Sequence, residues 1–147
     1  MECQGSGGLI MKRLAKYVAE NGVEHSSSLV GNNSIPVLGK KLGVKIGPCL
    51  SEYITRYGYL IFSSVELYGV TGRQVLESDM VKQTEYLNKY FSKTCGYIAL
   101  ENQGDGDYYL VNSRDQVFEY DSETDKLTDL QLGLEDYILK RFKDVEN

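Results

Sequence analysis

Apolar positions along this chain change from helical to alternating period and back, and each change marks a new element. Ile10, Leu14, Tyr17 and Val18 recur at helical spacing ahead of Asn21-Gly22, which predicts a helix over about residues 9–21 ended by a glycine free to turn left-handed. Residues 22–34, GVEHSSSLVGNNS, carry no period and read as a connecting loop. Ser34 then offers a cap and Pro36 a first-turn residue for a short helix closing at Gly43. Pro48 opens another, whose stripe of Leu50, Tyr53, Ile54 and Tyr57 stops at Gly58.

After Gly58 the alternation of strands takes over, in YLIF at 59–62 and VELYGV at 65–70, separated by two serines. Met80, Thr84, Leu87 and Phe91 restore the helical period over 79–91, with Ser78 or Asp79 as the cap. Three strands follow, at 97–101, 107–112 and 116–121, and their short polar connections ENQGDG and SRD imply an antiparallel meander. Leu134, Tyr137, Ile138 and Phe142 predict a final helix whose Lys140, Arg141 and Lys143 sit near its negative end. The pattern as a whole is that of an α+β fold in one domain, residues 1–147.

Composition narrows the function. A chain of 147 residues, 41% hydrophobic, is large enough to bury a core of its own. Its apolar runs are far shorter than the ~18–20 residues of a membrane span, and the basic residues of its N-terminus follow the apolar patch where a secretory signal has them first. A cytoplasmic protein without a membrane contact is expected. Cys3, Cys49 and Cys95 are odd in number and widely spaced, with no C-x-x-C pair, and read as reduced thiols. His25 is the only histidine, so a multi-histidine metal site is excluded and a Cys-His nucleophile pair would have it as its sole base.

Charge is uneven along the chain. Residues 1–60 hold seven Lys/Arg against four Asp/Glu, residues 61–100 balance, and residues 101–147 hold five against thirteen. The C-terminal third is an acidic pole that repels nucleic acid, whose phosphates are held by Lys and Arg, and attracts a basic protein. Acidic loops also serve solubility alone, and composition does not separate these readings.

The segment ENQGDGDYYLVNSRDQVFEYDSET, residues 101–124, concentrates that charge. It is not an EF-hand, because Asp105-Gly106-Asp107 supplies only two ligands and its glycine comes too early. Paired catalytic carboxylates need one partly buried member, whereas Asp105 and Asp107 fall in a turn. There is no Ser-His-Asp set, phosphate loop or H-E-x-x-H. Glycine and aspartate are what tight turns require, so the segment reads as a hairpin with acidic corners. No enzyme activity, cofactor or bound metal is expected.

The order of these elements, with Leu42-Gly43, Pro48, Tyr57-Gly58, Leu67-Tyr68-Gly69, Gly104-Asp105-Gly106-Asp107, Val117, Asp121, and Leu134, Tyr137 and Ile138, resembles the SUKH superfamily of Smi/Knr type over about residues 35–142. Gly47 departs from the pattern, standing where an apolar residue usually precedes the proline, and the chain has no tryptophan. The resemblance implies a twisted antiparallel sheet of about five to six strands backed by helices. It also implies a non-enzymatic immunity protein that binds and neutralises a cognate polymorphic toxin, often a nuclease; other members are intracellular regulators or scaffolds. A nuclease must present a basic cleft to phosphate, so an acidic surface complements it. The expected contacts are Asp105, Asp107, Asp115, Glu119, Asp121, Glu123 and Asp125, with Tyr109 as an aromatic anchor. Of Tyr108, Tyr109, Phe118 and Tyr120, at least one ring is expected in an open concavity of the sheet, the two adjacent tyrosines facing opposite sides.

Overall fold

Local chemistry sets the boundaries of most elements. The structure, a computed structural model, describes residues 9–146; Cys3 lies outside them. Helix α1 (Lys12–Asn21) ends on Gly22 at φ 63° and α2 (Ser34–Leu42) on Gly43 at φ 70°, the left-handed conformation that costs glycine least. Pro48 occupies the first turn of α3 (Pro48–Arg56), where its missing N–H leaves no bond unmade. Between α1 and α2, the expected loop contains a two-residue strand, β1 (Glu24–His25). Strands β2 (Leu60–Phe62) and β3 (Val65–Leu67), helix α4 (Asp79–Tyr90), strands β4 (Ile98–Gly104), β5 (Asp107–Val111), β6 (Gln116–Asp121) and β7 (Lys126–Gly133), and helix α5 (Leu134–Asp144) complete the order.

The fold is α+β, but the strands number seven and divide into two antiparallel sheets, β1-β2-β3 and β4-β5-β6-β7. A backbone bond from Tyr68 N to Leu100 O, 2.7 Å, joins them where the end of β3 meets β4. Strand β7 escapes the sequence pattern because the ladder slips between Val117 and Phe118, which pair with Leu132 and Asp129, so that Leu130 and Gln131 form a bulge. Gln131 takes φ 61°, and Leu127, Leu130 and Leu132 lose the strict alternation that marks a strand.

The Tyr-Gly pairs at 57–58 and 68–69 meet in space. Val70 N donates to Gly58 O at 2.9 Å, and a Cβ on Gly69 would lie 1.8 Å from that same oxygen. Only glycine permits this approach of two backbones, which fixes the exit of α3 against the exit of β3.

Helices cover both faces of the second sheet. On one, Ile98, Val111 and Val117 meet the Leu134, Tyr137 and Ile138 stripe of α5, in a core that also holds α1, α3 and the first sheet. On the other, Ala99, Leu110 and Tyr120 lie under Leu87 of α4. Tyr109 therefore packs against the first cluster and Tyr108 against the second, on opposite sides of the sheet as expected, and both are half-buried. Phe118 is half-buried and Tyr120 wholly buried.

Twelve tyrosines make alkaline stability a direct probe of this packing. Burial pushes the hydroxyls of Tyr17, Tyr68 and Tyr120 up to about 12, and it holds the enclosed Tyr53 and Tyr137 higher still. Each raised value exceeds the ordinary ~10 of the unfolded chain, so this stability is complete below pH ~10 and is lost as pH climbs through the folded values. The urea midpoint is expected to hold between pH 7 and 9 and fall steeply above 10, with phenolate absorbance rising in two phases. A single phase near 10 with an unchanged midpoint would contradict the packing.

Candidate functional site

Two turns at one end of the second sheet are hydrogen-bonded to each other. Ser122 donates both its N–H and its hydroxyl to Gly106 O at 2.9 Å, so the β6–β7 turn leans on the β4–β5 turn. Gly106 has φ 83°, and a Cβ there would sit 2.7 Å from Ser122 Oγ. Asp105 takes φ 53°, a conformation aspartate tolerates better than most residues. The contact gathers Asp105, Asp107, Asp121 and Glu123 at one end of the sheet.

Strand register extends the group along one face. Asp107 stands opposite Asp121 and Tyr109 opposite Glu119, so these four side chains project from the same side of β5 and β6. Like charges directly opposite one another destabilise a ladder. Among the described residues, none of Asp105, Asp107, Glu119, Asp121 and Glu123 is in an ion pair; Lys126 pairs with Asp121 in register without reaching its carboxylate. The backbone N–H groups of Glu123 and Thr124 donate to Asp121 Oδ1, at 2.9 and 3.4 Å, and hold that carboxyl below its ordinary range.

Two expected contacts are placed elsewhere. The Asp125 carboxylate accepts the Tyr120 hydroxyl at 2.5 Å and lies 3.6 Å from Lys93 Nζ, neutralised at the edge of the α4 side. Asp115 belongs to the β5–β6 turn at the opposite end of the sheet and is 7% exposed. Its oxygens accept the N–H groups of Cys49 (2.8 Å) and Leu50 (3.0 Å), so it caps α3 from 65 residues away and is not a surface contact. Gly47 is explained by the same contact, since a Cβ there would fall 2.5 Å from Asp115 Oδ1. The residue that departs from the family pattern is the one that leaves room for the carboxylate.

Beside the acidic end lies a buried ion pair that sequence reasoning missed. Glu101, 3% exposed, faces Tyr109 across β4–β5. Its carboxylate accepts Arg141 Nε at 3.0 Å, Arg141 Nη2 at 2.9 Å and the Tyr137 hydroxyl at 2.6 Å. The signal was in the helical period: Leu134, Tyr137, Ile138 and Arg141 fall on one inward stripe, and a cation there requires a buried acid. The Tyr109 ring lies 5.2 Å from that of Tyr137, and its hydroxyl is pushed up by burial first and by Glu119 next. A polar cavity of about 350 Å³ opens over the pair, lined by Ser64, Glu66, Tyr68, Asn102 and Gln103 besides.

The carboxylates of this sheet end give it a negative field. Burial, with Asp115 beside it, raises the Cys49 thiol to about 12, so it stays protonated and a poor nucleophile. Among the described residues no group of three or more His, Cys, Asp or Glu is placed to hold a metal ion, and no helix is long and apolar enough to cross a membrane.

No curated protein matches the sequence. A family model does, over residues 10–143, so the matched span takes in α1 and β1 as well as the expected stretch from α2 onward. The two touching Tyr-Gly pairs, the acidic double turn and the α5 stripe on the second sheet all lie within it, and the chain belongs to the SUKH_5 family, described as SMI1-KNR4 cell-wall.

Proposed function

We propose that this protein is a non-catalytic binding module that neutralises a cognate protein toxin with a basic active surface, most simply a nuclease domain. The observation that carries the reading is the set of five carboxylates, Asp105, Asp107, Glu119, Asp121 and Glu123, held together with no basic side chain in an ion pair among the described residues. Such an arrangement costs the free protein stability and repays it only when a partner brings positive charge. A toxin surface that grips phosphate brings that charge, and covering it removes the substrate's place. The half-buried Tyr109 supplies an aromatic contact within the patch, the kind of residue on which tight interfaces centre.

Co-expression with the product of the adjacent gene tests this directly, scoring rescue from toxicity and recovery of a complex. In that complex, Asp107→Lys, Glu119→Lys and Glu123→Lys together are expected to slow association by about ten- to a hundredfold at low salt and to flatten its salt dependence. Unchanged association would move the contact off this sheet end. Absence of both toxicity and rescue would favour a regulatory or scaffolding role on the same fold.

A further inference from the structure

A second cavity adjoins the one over Glu101 and shares Glu66 and Tyr68 with it. It measures about 380 Å³, with Tyr59, Ile61 and Tyr68 forming its wall on the outward side of β2 and β3 and Glu77 and Asp79 closing it at the start of α4. Its lining holds three carboxylates and no lysine, arginine or histidine. Among the described residues, Glu66 and Asp79 are in no ion pair and the Tyr68 hydroxyl makes no hydrogen bond; Glu77 stands 4.0 Å from Lys82. Burial raises the Tyr68 hydroxyl, with Tyr108, Asp79 and Glu101 adding to it, which places that hydroxyl among the charges of both cavities. Asn102 and Gln103, which line the adjoining cavity, stand on β4 just before the acidic double turn.

We propose that this tyrosine-walled cavity is a receptor for one arginine side chain of a basic protein partner, an extension of the acidic surface that rests on the reading given above. Tyrosine faces and carboxylates in one concavity suit a planar guanidinium, which stacks on the rings while its fork of donors reaches the acids. A lysine ammonium, compact and strongly hydrated, uses the carboxylates and leaves the walls idle. Arginine is also the cation most enriched where protein interfaces concentrate their binding energy. The acidic sheet end steers the partner by its field, and the cavity gives the docked complex a fixed register.

The probe is N-acetyl-arginine amide, titrated into the isotope-labelled protein and followed by amide chemical shifts. Saturating shifts are expected at Tyr59, Glu66, Tyr68 and Asp79, and the neutral citrulline amide is expected to bind about tenfold more weakly or not at all. Glu66→Gln, on an exposed strand position, is expected to weaken the arginine titration several-fold with the dispersion of the spectrum intact, and Glu66→Gln with Asp79→Asn to abolish it. Equal response to citrulline, equal response to N-acetyl-lysine amide, or shifts confined to the Asp105–Glu123 end would each overturn the assignment. Because the titration needs no toxin, failed rescue in co-expression leaves this result standing, and a failed titration leaves rescue to be judged by itself.

Discussion

Arg141→Met is expected to lower the unfolding free energy by about 3 kcal/mol, the lower end of the range for breaking a buried ion pair. The loss is larger than an ordinary surface cation would give, because Glu101 has a side chain only 4% exposed and no other cation within ion-pair distance among the described residues. Removing the guanidinium takes away a two-pronged contact and leaves a carboxylate held away from water with only two neutral donors, the Tyr137 hydroxyl and the Gln103 side-chain amide, among the described residues. Arg141 keeps 22% of its side chain exposed, and water reaching that side softens the cost. The double variant Glu101→Leu with Arg141→Met is expected to be more stable than Arg141→Met alone, since it removes the stranded charge. Urea unfolding of the three proteins measures this. A single variant within 1 kcal/mol of the parent would show that the pair contributes little to holding α5 on the sheet.

The elements that sequence made legible are those whose side chains follow one period from end to end. Helix α5 shows Leu134, Tyr137 and Ile138 at helical spacing, and α3 shows Leu50, Tyr53 and Ile54 in the same way. Strand β7 was hidden because a bulge changes which side of the chain faces the core partway along, and β1 because two residues cannot display a period. The division into two sheets was not legible, because it depends on where β3 ends against β4.

The site was half legible for a similar reason. Asp105, Asp107, Asp121 and Glu123 could be placed on turns from glycine and aspartate chemistry, and short loops in a meander bring alternate turns to one end of a sheet. Asp115 satisfies the same local rule, with φ 61° in a tight turn, yet it lies at the other end. Local chemistry identifies a turn without saying what the turn faces. Glu101 was hidden inside a strand whose neighbours Ile98, Ala99 and Leu100 are apolar, and its partner lies 40 residues on.

Asp115 now stands as a structural residue, and its replacement is expected to be costly. Its carboxylate serves two N–H groups at the start of α3, its N–H donates to Asn112 O at 3.2 Å, and its carbonyl accepts the first N–H of α5, from Leu134, at 2.9 Å. One residue thus ties the beginnings of two helices to the β5–β6 turn. Asp115→Ala leaves two helix-terminal donors short of an acceptor and puts alanine at a left-handed φ, for an expected loss of about 2–4 kcal/mol. Asp115→Gly suits the backbone and isolates the cap, with an expected loss of about 1–3 kcal/mol. Gly47→Ala should also destabilise, because its new methyl group meets the Asp115 carboxylate. Combined with Asp115→Gly it should cost little more than Asp115→Gly alone, since the clash and the cap are one contact. Additive losses in that cycle would mean that Gly47 is required for some other reason. Partner association provides the complementary reading: the folded fraction of Asp115→Gly should bind at the parent rate, whereas loss of Asp107, Glu119 and Glu123 should slow association and leave the unfolding midpoint nearly unchanged or slightly raised. A slow association rate in folded Asp115→Gly would return Asp115 to the binding surface and contradict its burial beneath α3.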